Sequence, residues 1–357
     1  MNSLKKTSSG NRSKAEDFEK SLAINPSISV YKNLGLQFKH LKKYKEAIFY
    51  FNKALLIEED AEAWAMIGGC YGETKDLDSA EHCFKHAIAL NPNLAQAHLD
   101  LSTVYHFQGK FDDAWKEYEY RHEVFDQLKI WKKIYDPLKK WNGESLKNKR
   151  IIIHGEQGHG DCIHFLRYLK FFDGYKILHC SQSLKTLFEP YVNEIFTVDP
   201  TIVNPDDLPK HDYHCSIMSL PYILGNPAIP TMPYIHCEEK IDLQEYSDYF
   251  KIGILWGGNP QHPNDRYRSC KLNLFKQIHD IPNVKLFSLM KDLRPRAYRF
   301  HPEPIDLTEN TANMKLVDMS SVMNCFKDIA KIINSMDLII TIDSAILHLA
   351  GSMGKEV

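Results

Sequence analysis

The 357-residue sequence contains no apolar run approaching the ~20 residues that a membrane-spanning helix needs. It has no excess of either charge. Forty-four Lys and Arg stand against 46 Asp and Glu, a net charge of −2, which argues against nucleic-acid binding through a global basic surface. No two of its eight cysteines form a CxxC pair, and the chain is too long to depend on a disulfide framework. They read as reduced thiols, and the expected location is cytoplasmic. The basic, Ser-rich start MNSLKKTSSGNRSK lacks the apolar core of a secretory signal and reads as a disordered tail at 1–14. The remaining composition, 43% hydrophobic and 25% charged, is that of a folded chain with a sizeable core.

An internal period is present. Tyr31, Trp64 and His98 follow one another in steps of 33 and 34 residues. Around them recur Leu34-Gly35, Ile67-Gly68 and Leu101-Ser102, then Phe38, Tyr71 and Tyr105. Next come Ala47, Ala80 and Ala114, then Phe51, Phe84 and Tyr118. Ala54 and Ala87 continue the series, and Arg121 breaks it. Small residues on one helix let its partner approach, and large ones fill the space between repeats. The pattern resembles the tetratricopeptide repeat, with three repeats and a preceding half-repeat (helix AEDFEKSLAI) over residues 15–125. The resemblance implies an α-solenoid with a concave face that captures a protein or peptide. Its groove positions are Lys32, Leu36, Lys39, His40, Gln96, Leu99, Thr103 and His106. His82 and His86 share the i, i+4 spacing of some zinc pairs but have no third ligand arranged with them, and they read as surface residues.

The chain then changes character. A helical and turn connector (126–149), broken at Asp136-Pro137, leads into Arg150-Ile-Ile-Ile-His154, a short buried strand. The glycine loop Gly155-Glu-Gln-Gly-His-Gly-Asp161 and a helix follow, the opening of a doubly wound α/β domain. Further strands are expected at 176–180, 194–198, 251–258, 284–289, 316–320 and 337–343. The proline-rich stretch 227–233 reads as a break between two α/β units. At Asp337 to Gly351 a strand runs straight into a helix. Asp343 and Ser344 are capping types there, and Ser344, Ala345 and His348 share its first turn, where free N–H groups attract phosphate. Five of nine arginines cluster at 266, 268, 294, 296 and 299. Arginine is suited to forked phosphate contacts.

The stretches WNGESLKNKRIIIHGEQGHGD, GILWGGNPQHPNDRYRS, FSLMKD and TIDSAILHLAGSMGK resemble the heptosyltransferase-like module (glycosyltransferase family 9) of bacterial tetratricopeptide proteins. The resemblance implies an α + α/β fold: the repeat solenoid followed by two Rossmann-like α/β domains of GT-B type. The acceptor domain would span 150–233, a linker 234–250 and the nucleotide-sugar domain 251–357, which reads as incomplete at Val357. It implies inverting, metal-independent sugar transfer from a nucleotide-diphosphate sugar to a hydroxyl, with no cofactor. Asp161 would be the general base, and Arg266 and Arg268 would stabilise the leaving diphosphate. Gly158, Gly160, Asn259, Ser288, Asp292, Asp343, Ser344, Ala345 and His348 would line the donor site. This chain departs from the family in carrying His159 before Gly160 and arginine rather than lysine as the catalytic cation. Two other readings remain open: a non-catalytic nucleotide or sugar binder, and a plain scaffold.

Overall fold

The structure, a computed structural model, describes residues 27–229, 231, 233–262, 265–291 and 314–357, apart from the side chains of Gln127 and Arg266. The expected tail, the half-repeat, Asp292, Arg294, Arg296 and Arg299 lie outside the described residues. The chain divides into two compact units between Lys133 and Ile134.

The first unit is helical. Six helices, α1 (Ile28–His40), α2 (Tyr44–Leu55), α3 (Ala61–Glu73), α4 (Leu77–Leu90), α5 (Ala95–Gln108) and α6 (Phe111–Tyr118), form three pairs, and no strand occurs among residues 28–122. The pairing follows from the periodic small residues. A Cβ added to Gly35 would lie 2.4 Å from the Phe51 ring, and one on Gly68 2.9 Å from the Phe84 ring. Ala47, Ala80 and Ala114 are wholly buried, and Ser102 takes the third glycine position at 1% exposure. Two of the helices, α3 and α4, start on aspartate caps: Asp60 accepts from the Ala63 N–H at 2.7 Å and Asp76 from the Ser79 N–H at 3.2 Å. Each pair turns through one left-handed residue, Lys42 (φ 59°), Lys75 (φ 64°) and Gly109 (φ 74°). Arg121, the break in the alanine series, is fully buried. Its Nη1 donates to the Tyr118 carbonyl and the Glu119 carboxylate at 3.1 and 2.7 Å. After Tyr118 the chain continues in short helical pieces rather than one helix, the next being Arg121–Val124.

The second unit holds two four-stranded parallel sheets. β1 (Arg150–His154), β2 (Tyr175–His179), β3 (Glu194–Phe196) and β4 (Tyr213–Ser216) lie in the order β3-β2-β1-β4. β5 (Phe250–Leu255), β6 (Val284–Ser288), β7 (Val317–Asp318) and β8 (Leu338–Thr341) repeat that order as β7-β6-β5-β8. Ile151, Ile152 and Ile153 are wholly buried, as expected of a parallel strand covered on both faces. In register, Ile152 sits between Ile177 and His214. Strand order reverses between β1 and β4, and again between β5 and β8, and such reversals leave a crevice at the carboxyl ends of the strands.

Four helices matter for the site: α7 (His159–Phe165) after β1, α8 (Asp265–Arg268) after β5, α9 (Phe326–Asn334), and α10 (Ala345–Ser352) after β8. The stretch read as a linker is held at its start. The Tyr234 and Ile235 N–H groups both donate to the Ser352 carbonyl, at 2.9 and 3.1 Å, and Ile235 is 1% exposed. The reason is that apolar Ile235 packs inside rather than spanning solvent. Near the start of this unit the Tyr135 hydroxyl donates to His179 Nδ1 at 2.8 Å. Its ring stacks with those of His154 and His214 at 4.9 and 4.8 Å.

Candidate functional site

At the first reversal, the loop after β1 is shaped by its glycines and closed by Asp161. The Gly158 N–H donates to Asp161 Oδ2 at 3.0 Å. Asp161 is the third residue of α7, so it caps backwards onto the loop rather than standing at the helix start. Burial pushes its carboxyl above the usual range. The Gly158 N–H and the His348 imidazole oppose that rise, and Glu156 adds to it. Gly160 is needed for close approach: a Cβ there would lie 2.7 Å from His348 Cδ2 and 3.3 Å from Ala345 Cα. The first turns of α7 and α10 therefore meet directly. The His164 and His348 rings lie 5.2 Å apart. His164 Nε2 accepts from Arg167 Nη2 at 2.6 Å, and burial together with the Arg167 charge pushes His164 down to about 4.

At the second reversal, Arg268 links two loops. Its Nε donates to Asp265 Oδ1 and its Nη1 to the Asp343 carbonyl, both at 3.0 Å. Asp265 is wholly buried. Ser269 Oγ donates to Asp265 Oδ2 at 3.0 Å and accepts from the Gly258 N–H at 2.9 Å. Ser344 is the N-cap residue of α10, yet its side chain makes no cap bond; its Oγ lies 3.2 Å from Thr341 Oγ1. Asp343, also expected as a cap, contributes its carbonyl to Arg268 instead. The backbone at 343 turns that oxygen toward the β5 loop.

The structure thus brings together Gly158, Gly160, Asp161, Ala345 and His348, and separately Arg268, Asp343 and Ser344. Asn259 is occupied in a turn, its Oδ1 accepting from the Gln261 N–H at 3.0 Å. Ser288 is wholly buried, with its hydroxyl accepting from the Met290 N–H at 3.3 Å, which places it inside the fold rather than at the loops. Asp292 and the Arg266 side chain are not among the described groups. Asp265 escaped the sequence reading because nothing in NPQHPNDRYRS marks it as buried.

In the repeats, Lys32 is committed to Asp60 and Glu62 at 3.0 and 2.6 Å, and Gln96 to Asp100 at 2.8 Å. Leu36 packs on the core of the first two repeats, Leu99 is buried, and Thr103 Oγ1 donates to the Leu99 carbonyl at 3.3 Å. His40 is exposed in the last turn of α1. The Lys39 ammonium stands over Gly69, 2.6 Å from where a Cβ would be, and has no hydrogen-bond partner among the described residues. Gly72, one turn on, has open space above it. A cavity of about 360 Å³ is lined by Ser102, Thr103, His106, Phe107 and Tyr118. The bare glycines of the second repeat were missed, although they stand one period beyond Leu36 and Lys39. Phe107 was missed likewise, one residue past His106. His86 is bonded to Glu59 at 2.8 Å and packed on Trp64. Among the described residues no helix is long and apolar enough to cross a membrane.

Family models described as tetratricopeptide repeat match residues 28–60, 61–94 and 83–116. The chain is 22% identical to protein FlbA of Caulobacter vibrioides over 380 residues, covering 96% of this chain and 61% of FlbA. It therefore spans about three-fifths of that protein's length. It is 34% identical over 83 residues to the mitochondrial import receptor subunit TOM70 of Saccharomyces cerevisiae, covering 23% of this chain and 14% of that one. Among solved structures, MamA matches 34% of this chain and 72% of its own at 24% identity and a TM-score of 0.30. The first tetratricopeptide domain of Spaghetti (RPAP3), bound to the HSP90 peptide SRMEEVD, matches 28% and 79% at 24% identity and a TM-score of 0.27. Residues 28–116 are tetratricopeptide repeats.

Proposed function

We propose that the repeats hold a segment of another protein and that the α/β unit is a GT-B-type, heptosyltransferase-like module for a nucleotide-diphosphate sugar. For the repeats, the support is the groove itself: the Lys39 ammonium, with no hydrogen-bond partner among the described residues, over Gly69, open space at Gly72, and a cavity at His106 and Phe107. For the α/β unit, one observation carries the reading. Arg268 joins the loops after β5 and β8 at the reversal of strand order, beside the start of α10. Free N–H groups at a helix start, together with an arginine fork, suit a diphosphate. Asp161 then serves as general base on an acceptor hydroxyl, its proton affinity raised by burial. Arg268, with Arg266, stabilises the leaving diphosphate as the glycosidic bond to it breaks.

A second reading, a binder without transfer, draws on the direct contact of Gly160 with Ala345 and on the Gly158 bond that already occupies Asp161. One substitution separates the two. Asp161→Asn keeps an acceptor for the Gly158 N–H, so melting should hardly change. Transfer of labelled sugar, assayed across nucleotide donors, should fall by ~10²-fold or more. Full transfer by Asp161→Asn would remove the base role. Donor binding without turnover in the parent would favour the binder.

A further inference from the structure

Asp265 has no role in the reading above, yet it is the wholly buried carboxylate around which the β5 loop is built. We propose that Asp265 is the positioning residue of the diphosphate site, fixing the Arg268 fork across the β5/β8 reversal. The inference rests on the nucleotide-sugar reading of that site.

Both carboxylate oxygens of Asp265 are used. Oδ1 takes the Arg268 Nε–H, and Oδ2 takes the Ser269 hydroxyl, itself held by the Gly258 N–H. The guanidinium is thereby gripped along one edge, and the Asp343 carbonyl takes one Nη1 hydrogen. A guanidinium carries five N–H hydrogens. Two have acceptors among the described residues, and those on Nη2 have none. What remains is three hydrogens, one on Nη1 and the pair on Nη2, in a plane set before any ligand arrives. Binding then loses less side-chain freedom, which is the gain of preorganisation. A lysine could not be held this way, because one ammonium offers no second edge to grip. The inference thus accounts for arginine at 268, where the family resemblance leads one to expect lysine. It also accounts for Gly258: a Cβ there would fall 2.2 Å from Asp265 Oδ1 and 2.9 Å from the Arg268 guanidinium.

The test is calorimetric titration of the full chain with UDP, ADP and inorganic diphosphate. Asp265→Asn, Ser269→Ala and Arg268→Ala are compared with the parent, and each is melted beforehand. A purely structural role would lower melting without changing the affinity of the folded fraction. The expected result is that Asp265→Asn binds at least about tenfold more weakly while still folded. Ser269→Ala, which only loosens the carboxylate, should weaken binding in the same direction by less. Exchange of the Arg268 Nε–H, followed by NMR without ligand, should quicken in both. Parent-like affinity in Asp265→Asn, with binding lost in Arg268→Ala, overturns the positioning role and leaves the site reading intact. If the parent binds none of the three probes, both fall. If Asp265→Asn does not fold, Ser269→Ala decides: unchanged affinity and unchanged exchange overturn the proposal.

Discussion

The two units bury polar groups by different rules. In the repeats, the interior is made mainly by size. A glycine faces a ring in the first two pairs, Ser102 is buried at the same position of the third, and a buried alanine recurs in each. Among the described residues of the repeats the buried basic groups are few: His98, held by the Glu117 carboxylate and the Pro92 carbonyl, and Arg121 at the end. In the α/β unit, the strands are as apolar as the repeats, but polar groups collect where strands end. Asp265 is wholly buried there, and His154, His179 and His214 surround Tyr135. A periodic helical stack can be satisfied by shape, whereas a loop that must hold one conformation at a sheet end is held by hydrogen bonds. The difference predicts that the units fail under different stresses.

Acid should separate them most. Burial pushes His214 down to about 4, and lowers His179 and His211 as well. Their folded pKa values lie below the unfolded ones. The unfolded chain therefore binds more protons, and stability is lost as pH falls from about 6.5 toward 4. His214 alone would account for roughly 3 kcal/mol of that loss. In the repeats, burial alone would raise Glu81. Hydrogen bonds from Lys110, Lys85 and Gln108 more than offset it and bring the carboxyl down to about 2. That contribution is present above about 4.5 and fades only as pH falls toward 2. Amide exchange measured at pH 7 and pH 5 should show residues 150–216 losing protection while residues 28–116 keep it. Equal loss in both would refute the contrast.

Overpacking should act the other way round. Gly68→Leu drives a side chain into the Phe84 ring and should cost the repeats ~1–3 kcal/mol. Thermal unfolding should show the repeat transition moving down and the α/β transition staying put. A smaller effect is expected from Asp60→Ala. It removes the cap on Ala63 and one of the two carboxylates on Lys32, for about 1 kcal/mol. A cost in Asp60→Ala as large as that of Gly68→Leu would mean that side-chain polarity, not shape, governs the repeats.

The same contrast explains what could be read from residues alone. The pairing of Gly35 with Phe51 is spaced within one repeat and shows up as a period. The strands of the α/β unit are legible as apolar runs, though LVDMS yields only Val317–Asp318. The reversal of strand order is not legible, because it depends on β8 crossing to the far side of β5. Without that crossing, Asp343 has no reason to meet Arg268, and Asp265 looks like any acid in a polar loop. Gly69 and Gly72 failed for another reason. Their meaning lies in the lysine of the preceding repeat, a neighbour in space that the period itself does not announce.

The left-handed turns of the repeats carry a consequence for engineering. Glycine adopts that conformation freely, as Gly109 does, whereas a side chain there is strained by about 1 kcal/mol. The chain keeps lysine at the other two turns. Lys75 has a visible return on that strain: its ammonium lies 4.5 Å above the ring of Phe107, one repeat further along. Lys42 has no such ring among the described residues. Replacing Lys42 with glycine is therefore a route to a more heat-resistant stack, whereas the same change at 75 would loosen the joint between neighbouring repeats even as it relaxes the turn.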